Sequence, residues 1–455
     1  MWEDSLKAVG DEPPRISGEE FRSRQVRLAN QMKPDDLLLI TAPNSSIRSN
    51  DVHYHYRNSS DMLYLCGWED PDSLLMMHND GNEWIVSLLV QPRNVLMEIW
   101  EGRRPGIEGA LENWPIDAAH SYDDLEEVLS ERLTKCSRVL IKNGCDPQVD
   151  KMVQNAITNN SRTRQKYGTG PVSTEDPSAK ISELRLRKSQ AEIAQMRYSA
   201  KIASQAHIQA MKCTKPGIGE WQLEGVIEGV FKWSGSSGIA YPCIIGSGEN
   251  ATILHYNVNS DECNDGEVIL IDAGCEYRGY ASDITRSWPV SGKFTDPQKE
   301  IYNVVLDAQI AAISECKVGN EYDAPHEAAR RALAKGLIEL GVITQNLEDS
   351  LCSENGQLKN WYMHNTGHWL GLDVHDVGIY RPNGKPRLLE EGMVLTVEPG
   401  LYFGAWRPDV DCPERYANLG IRIEDDVLVT SAGPDVLSED CPKSIEDIEN
   451  IVGSL

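Results

Sequence analysis

The sequence predicts an α+β chain in two domains: a small α/β domain, then a larger one in which helices flank a curved, largely antiparallel sheet. Three observations carry this. At 455 residues the chain exceeds what one hydrophobic core ordinarily spans. Its first third alternates a helical period with short apolar runs. Its C-terminal half sets β-branched, partly alternating runs between Gly and Pro, with helical stretches among them.

In order, SGEEFRSRQVRLANQM is amphipathic at the helical period, and DLLLIT, MLYLCGW, WIVSLLV and RVLIKN read as strands. Residues 159–180, NNSRTRQKYGTGPVSTEDPSAK, are polar, without period, and rich in Gly, Pro, Ser and Thr, which marks a linker. The division is therefore placed at 1–176 and 177–455. Ser189 and Glu192 form a capping-box pair ahead of Ile193, Met196, Ala200 and Ala203, one face of a helix. EVILIDAG, YASDITRSWPV, MVLTVEPGLYF and GIRIEDDVLVT supply the later strands, with helices near 297–316 and 324–340 and a last one starting at Ser444.

Apolar residues make up 40% and charged residues 25%, a globular profile. A net charge of −26 repels phosphate backbones and anionic lipids, which excludes nucleic-acid and membrane-surface roles. No run approaches the ~20 apolar residues of a membrane span. Eleven cysteines form no CxxC pair, and the acidic N-terminus has no apolar signal core, so a reduced, cytoplasmic compartment is expected.

Candidate chemistry begins at Asp272 and Asp283. If the segment holding them is a hairpin centred between Tyr277 and Arg278, the two aspartates face each other with Cβ atoms ~5 Å apart. Carboxylates that close require a cation, and a metal ion is the economical one; the alternative pairs one of them with Arg278 or Arg286. In WYMHNTGHWLGLDVHDVG, three of the chain's ten histidines, His364, His368 and His375, fall within twelve residues. Gly367, Gly371 and Gly378 among them let the backbone approach a neighbour closely. Glu398 ends an apolar run with no local partner. Glu424 shares a strand face with Arg422, either as an ion pair or with Arg422 orienting a ligating or substrate carboxylate. Four carboxylates and one imidazole carry a charge that two divalent cations balance. So oxygen-rich a set suits Mn²⁺ or Co²⁺ better than Zn²⁺. Spacing does not by itself establish which five side chains gather.

From about residue 180 to 450 the chain resembles the pita-bread metallopeptidases, specifically the aminopeptidase P group. The motifs are IIGSGENATILHYN, LIDAGCEYRGYASDITRSWPVSGKF, HNTGHWLGLDVHDVG, MVLTVEPGLYF and LGIRIEDDVLV. YHYRNSSDMLYLCGWEDPDSLLMM and MEIWEGRRPG resemble that family's creatinase/prolidase-like N-terminal domain, which narrows the cleft entrance and favours oligomers. The resemblance implies metal ligands at Asp272, Asp283, His368, Glu398 and Glu424. It implies a hydroxide bridging two metals, Mn²⁺ with Co²⁺ or Zn²⁺ as substitutes, that attacks the bond before proline while Glu398 handles the proton. His364 and His375 would stabilise the oxyanion, and His255 and Arg422 would orient short proline-containing peptides. Trp100 would lie where an aromatic of a neighbouring subunit reaches the cleft of a homodimer or tetramer. Prolidase, cleaving only dipeptides, shares the ligands, and some relatives are non-catalytic binding proteins. Relatives commonly carry glycine at Asn365; asparagine is expected there because it tolerates positive φ.

Overall fold

The computed structural model describes residues 7–455. Two units with separate cores emerge: Arg15–Arg185, and Leu186–Leu455 together with the N-terminal segment ending at Pro14. That segment joins the second unit because Val9 enters its core, while Arg278 donates to the Pro13 carbonyl at 2.8 Å and pairs with Glu12 at 2.8 Å. The sequence had placed it in the first domain and the division at 176/177.

The first unit has a six-stranded mixed sheet, ordered Ala118–Ser121, Trp84–Val90, Leu74–Asn79, Asp36–Thr41, Arg138–Ile141 and Ser173–Glu175. Two expectations fail here. MLYLCGW is helix over Ser60–Cys66, because Ser59 caps the Met62 amide and Gly67 ends the turn at φ 69°. The expected linker is structured: Ser161–Tyr167 is helical, and Ser173–Glu175 adds a parallel edge strand with Ser173 opposite Arg138. Arg138 fastens that edge, pairing with Glu175 and holding Asp36 at 2.7 Å. Backbone pairing and one arginine thus order a segment whose side chains carry no period.

In the second unit, helix Gln190–Cys213 begins with the expected Ser189–Glu192 capping box and buries Ile193, Met196, Ala200 and Ala203. Helices Glu220–Trp233, Asp296–Ser314 and Ala324–Glu339 complete the layer. The strands do not form one continuous sheet. They fall into short groups: Ile244–Ser247, Val268–Asp272, Thr285–Pro289; Val394–Val397, Asp425–Thr430, Gly433–Val436; a third three-stranded set, Gly238–Ile239, Cys275–Tyr277, Tyr280–Ala281; and the pair Gly400–Tyr402, Gly420–Arg422. Each of YASDITRSWPV, MVLTVEPGLYF and GIRIEDDVLVT is interrupted, and these interruptions build the curvature.

Behind the strands, Arg286 and Asp425 form a fully buried pair at 2.8 Å, with Lys443 and Gln309 also on Asp425 at 2.6 and 2.7 Å. Asp425→Ala leaves the fully buried Arg286 and the partly exposed Lys443 without their anion. It is expected to cost ~3–5 kcal/mol, read as a lowered urea midpoint, whereas an unchanged midpoint refutes this role. His207 is buried in the same unit, its Nδ1 3.0 Å from the Ala203 carbonyl, and burial pushes its pKa down to about 4. Because the folded value lies below the unfolded ~6.5, its stabilising contribution is present above pH 6.5 and lost as pH falls toward 4. His207→Gln should flatten that part of the stability profile.

Candidate metal centre

The carboxylates singled out from sequence sit where strands break or end. Asp272 closes Val268–Asp272; Asp283 lies between Tyr280–Ala281 and Thr285–Pro289; Glu398 lies between Val394–Val397 and Gly400–Tyr402; Glu424 lies between Gly420–Arg422 and Asp425–Thr430. A broken strand stops alternating its side chains, so acids from three hairpins turn toward one cavity of about 490 Å³. His255, His364, His368, His375 and Arg422 line it too.

The hairpin register differs from expectation. Its turn is Arg278–Gly279, with φ of 50° and 86°, and Tyr277 pairs with Tyr280. Asp272 therefore faces Thr285, with Asp283 diagonal to it. The two carboxylates still meet, because the Tyr241 hydroxyl lies 2.6 Å from Asp272 Oδ1 and 2.5 Å from Asp283 Oδ1. One phenol proton cannot satisfy both contacts, so the pair keeps net negative charge. Neither aspartate pairs with Arg278 or Arg286, which are engaged by Glu12 and Asp425.

Arg422 does not pair with Glu424. Its guanidinium holds Asp272 Oδ2 at 2.6 Å, Thr285 Oγ1 at 3.0 Å and the Tyr402 hydroxyl at 3.0 Å. Thr285 in turn donates to Glu424 Oε2 at 2.6 Å. Arg422 thus orients one acid directly and a second through a threonine.

On the histidine loop, a Cβ at Gly367 would stand 2.0 Å from the Thr396 carbonyl, so only glycine lets the loop lie against the strand that ends at Glu398. His368 Nε2 then falls 3.4 Å from Asp283 Oδ2 and 3.8 Å from Glu398 Oε1, with Nδ1 3.0 Å from the Trp369 carbonyl. That Nδ1 contact fixes the tautomer that leaves Nε2 free to ligate. His364 Nε2 lies 2.8 Å from the Tyr402 hydroxyl and Nδ1 2.8 Å from the Asn365 carbonyl. The His375 ring packs edge-on to His368, centroids 4.3 Å apart. Asn365 does not adopt positive φ; the backbone there makes no demand for glycine, so asparagine needs no special tolerance.

Burial drives the carboxyls of Asp272, Glu398 and Glu424 above the usual range, and their mutual repulsion adds to it; Arg422 opposes this at each, and His368 at Glu398. Burial also opposes a charge on His368, but Asp283 and Glu398 hold its pKa up to about 9. His364, by contrast, is buried beside Arg422 and pushed down to about 3, hence neutral. One arginine cannot neutralise this many acids. The donor set fits divalent cations: ligand atoms of Asp283, His368 and Glu424 all lie within 4.8 Å of one another, the span of a shared ion's coordination shell. Three residues of this network were missed from sequence: Tyr241, Thr285 and Tyr402. Only Tyr402 carried a usable signal, standing four residues after Glu398 in the quoted GLYF run.

Residues 194–431 match the model of metallopeptidase family M24, and residues 21–141 match that of the aminopeptidase P N-terminal domain. The chain belongs to metallopeptidase family M24. It is 39% identical to the Xaa-Pro aminopeptidase of Escherichia coli strain K12 over 438 residues, 96% of this chain and 98% of that one. It is 37% identical to the Haemophilus influenzae Xaa-Pro aminopeptidase, with the same coverage. Among solved structures, aminopeptidase PepP of Pseudomonas aeruginosa superposes with a TM-score of 0.91 at 37% identity, covering 96% of this chain and 98% of that one. Zn-substituted Escherichia coli aminopeptidase P in complex with product gives 0.91 at 38%, with the same coverage. The expected two-domain α+β architecture is thus that of the family, and the chain is a metal-dependent peptidase. No helix among the described residues is long and apolar enough to cross a membrane.

Proposed function

We propose that this M24 metallopeptidase is an Xaa-Pro aminopeptidase, releasing the N-terminal residue of short peptides with proline in second position. The carrying observation is one cavity lined by three buried acids and the half-buried Glu398, with a basic His368 and a neutral His364. Asp272, Asp283, His368, Glu398 and Glu424 would hold two divalent ions, Mn²⁺ by preference and Co²⁺ or Zn²⁺ in its place. Such ions, when bound, supply an acidified water and a polarised scissile carbonyl.

The chain's own groups do the rest. Glu398, its carboxyl raised by burial, is suited to take the proton of the attacking water and pass it to the proline nitrogen. His255 and Arg422 orient the peptide, and Arg422 also fixes Asp272 and Tyr402. His364 and His375 position the residue after the scissile bond and stabilise the oxyanion. At rest His364 Nδ1 donates to the Asn365 carbonyl and Nε2 accepts from Tyr402, so serving an oxyanion requires His364 Nε2 to gain a proton as well as to exchange Tyr402 for substrate.

The test strips purified protein with chelator, titrates Mn²⁺, and follows hydrolysis of Ala-Pro-Ala and Ala-Pro. Tripeptide cleavage that saturates near two ions per chain supports this reading. Cleavage of the dipeptide alone makes it a prolidase, and none with any divalent metal makes it a binding protein.

A homo-oligomer, dimer or tetramer, is part of the proposal, with the N-terminal unit contributing subunit contacts and gating. Helix Val95–Glu101 buries none of its residues and exposes Val95, Leu96, Ile99 and Trp100, the last at 85%, a surface that monomers seldom leave uncovered. Ile99→Asp should lower the mass measured by light scattering; an unchanged mass removes this helix from the interface. A cytoplasmic location is supported by eleven cysteines that are all unpaired.

A further inference from the structure

A second cavity, of about 310 Å³, adjoins the metal centre, and His364 and Asn365 line both. Its charged lining residues are Arg330 and Lys359; His326 also faces it, and no carboxylate does. In a chain with 70 acidic against 44 basic residues, a cavity whose own lining holds two cations and no acid runs against the overall charge. Neither cation is consumed by a buried anion. Arg330 donates to the Leu351 carbonyl and pairs with Glu327 at 2.6 Å, a glutamate half exposed to water. Lys359 donates to the Glu354 carbonyl. His326 is held by Thr366 at 2.8 Å, and burial lowers its pKa, so it faces the cavity as a neutral ring. The rim also stabilises negative charge: Cys352 has its thiol pKa lowered by the amides of Asn355 and Glu354, with Lys359 adding to it.

Resting on the Xaa-Pro reading, we propose that this cavity is a carboxylate subsite for the product side of the substrate. It receives the anionic end of the residue that follows proline. In a tripeptide the C-terminal carboxylate lies two residues beyond the scissile carbonyl, at most ~7 Å along an extended chain. Because His364 and Asn365 line both cavities, in this proposal that chain end runs past His364 toward Arg330 and Lys359. Arg330 suits a planar carboxylate, and Lys359 adds a mobile point charge. Short peptides with a free C-terminus are therefore the preferred substrates, and blocking that charge weakens them.

The experiment compares Ala-Pro-Ala, Ala-Pro-Ala-amide and Ala-Pro-Glu-amide on the Mn²⁺-loaded parent, Lys359→Gln, Lys359→Glu and Arg330→Gln. The parent is expected to favour the free acid over the amide by about tenfold in kcat/KM, the worth of one charge-assisted contact. That ratio should fall toward one in Lys359→Gln and Arg330→Gln and drop below one in Lys359→Glu. Recovery of the preference by Ala-Pro-Glu-amide shows that a side-chain carboxylate serves as well; failure to recover it restricts the site to the chain terminus. An acid-to-amide ratio equal in parent and Lys359→Glu overturns the subsite while leaving the aminopeptidase reading standing. A parent inert on all three peptides overturns that reading itself. Because Lys359 is exposed and off the core, its variants separate charge from folding, which Arg330 alone does not.

Discussion

Asp283→Asn is expected to lower kcat/KM on Ala-Pro-Ala by about 10³-fold or more, beyond the 10–100-fold that a residue merely supporting a metal ligand costs. Asp283 stands in a strand interruption between Tyr241 and His368, 2.5 Å from one and 3.4 Å from the other. Asparagine keeps its shape and one acceptor oxygen but removes the charge that a shared cation needs. Metal per chain, measured by plasma emission after dialysis, should fall below two. The fold should survive, because in the metal-free state Asp283 is one of several crowded acids and losing its charge relieves the repulsion that adds to burial in raising Glu424. Full metal content with full activity would falsify the assignment; loss of the far-ultraviolet dichroism would instead mark Asp283 as structural.

His364→Ala should slow turnover by ~10²–10⁴-fold, the usual worth of one transition-state hydrogen-bonding or proton-transfer group. Metal content should stay at the parent level, since His364 approaches the acids only through Glu398, 3.7 Å from its Nδ1. The variant also deprives Tyr402 of its acceptor. Tyr402 still receives Arg422, so the arginine, Asp272 and the cavity wall remain in place. Metal loss in this variant would move His364 into the ligand set. Undiminished turnover would remove it from the chemistry.

The pattern of success and failure along the chain has a physical cause. Helices whose signal is local were legible: the Ser189–Glu192 box and the Ser444 cap fall where the structure has them. MLYLCGW misled because an apolar run that short is compatible with either element, and of the two residues that decide it Ser59 lies outside the run while Gly67 stands within it as a helix stop. Residues 159–180 misled in the opposite way. Their order comes from the backbone of Arg138–Ile141 and from Arg138 itself, and neither partner is visible within the segment.

At the centre, the sequence by itself determined the chemical inventory: which acids stand without local partners, which histidines cluster, and that their sum calls for cations. Those are properties of residue type and immediate spacing. Only the tertiary structure decided how the inventory is wired. It gave Arg422 to Asp272 rather than Glu424, faced Asp272 with Thr285 rather than Asp283, and inserted Tyr241 between the two aspartates. A one-residue displacement of a turn shifts every cross-strand partner by two, and a strand break releases its side chains from alternation. These choices range from the placing of one turn, which sets Asp272 against Thr285, to a contact between segments more than a hundred residues apart, as Asp272 and Arg422 are, and the period of the side chains encodes none of them.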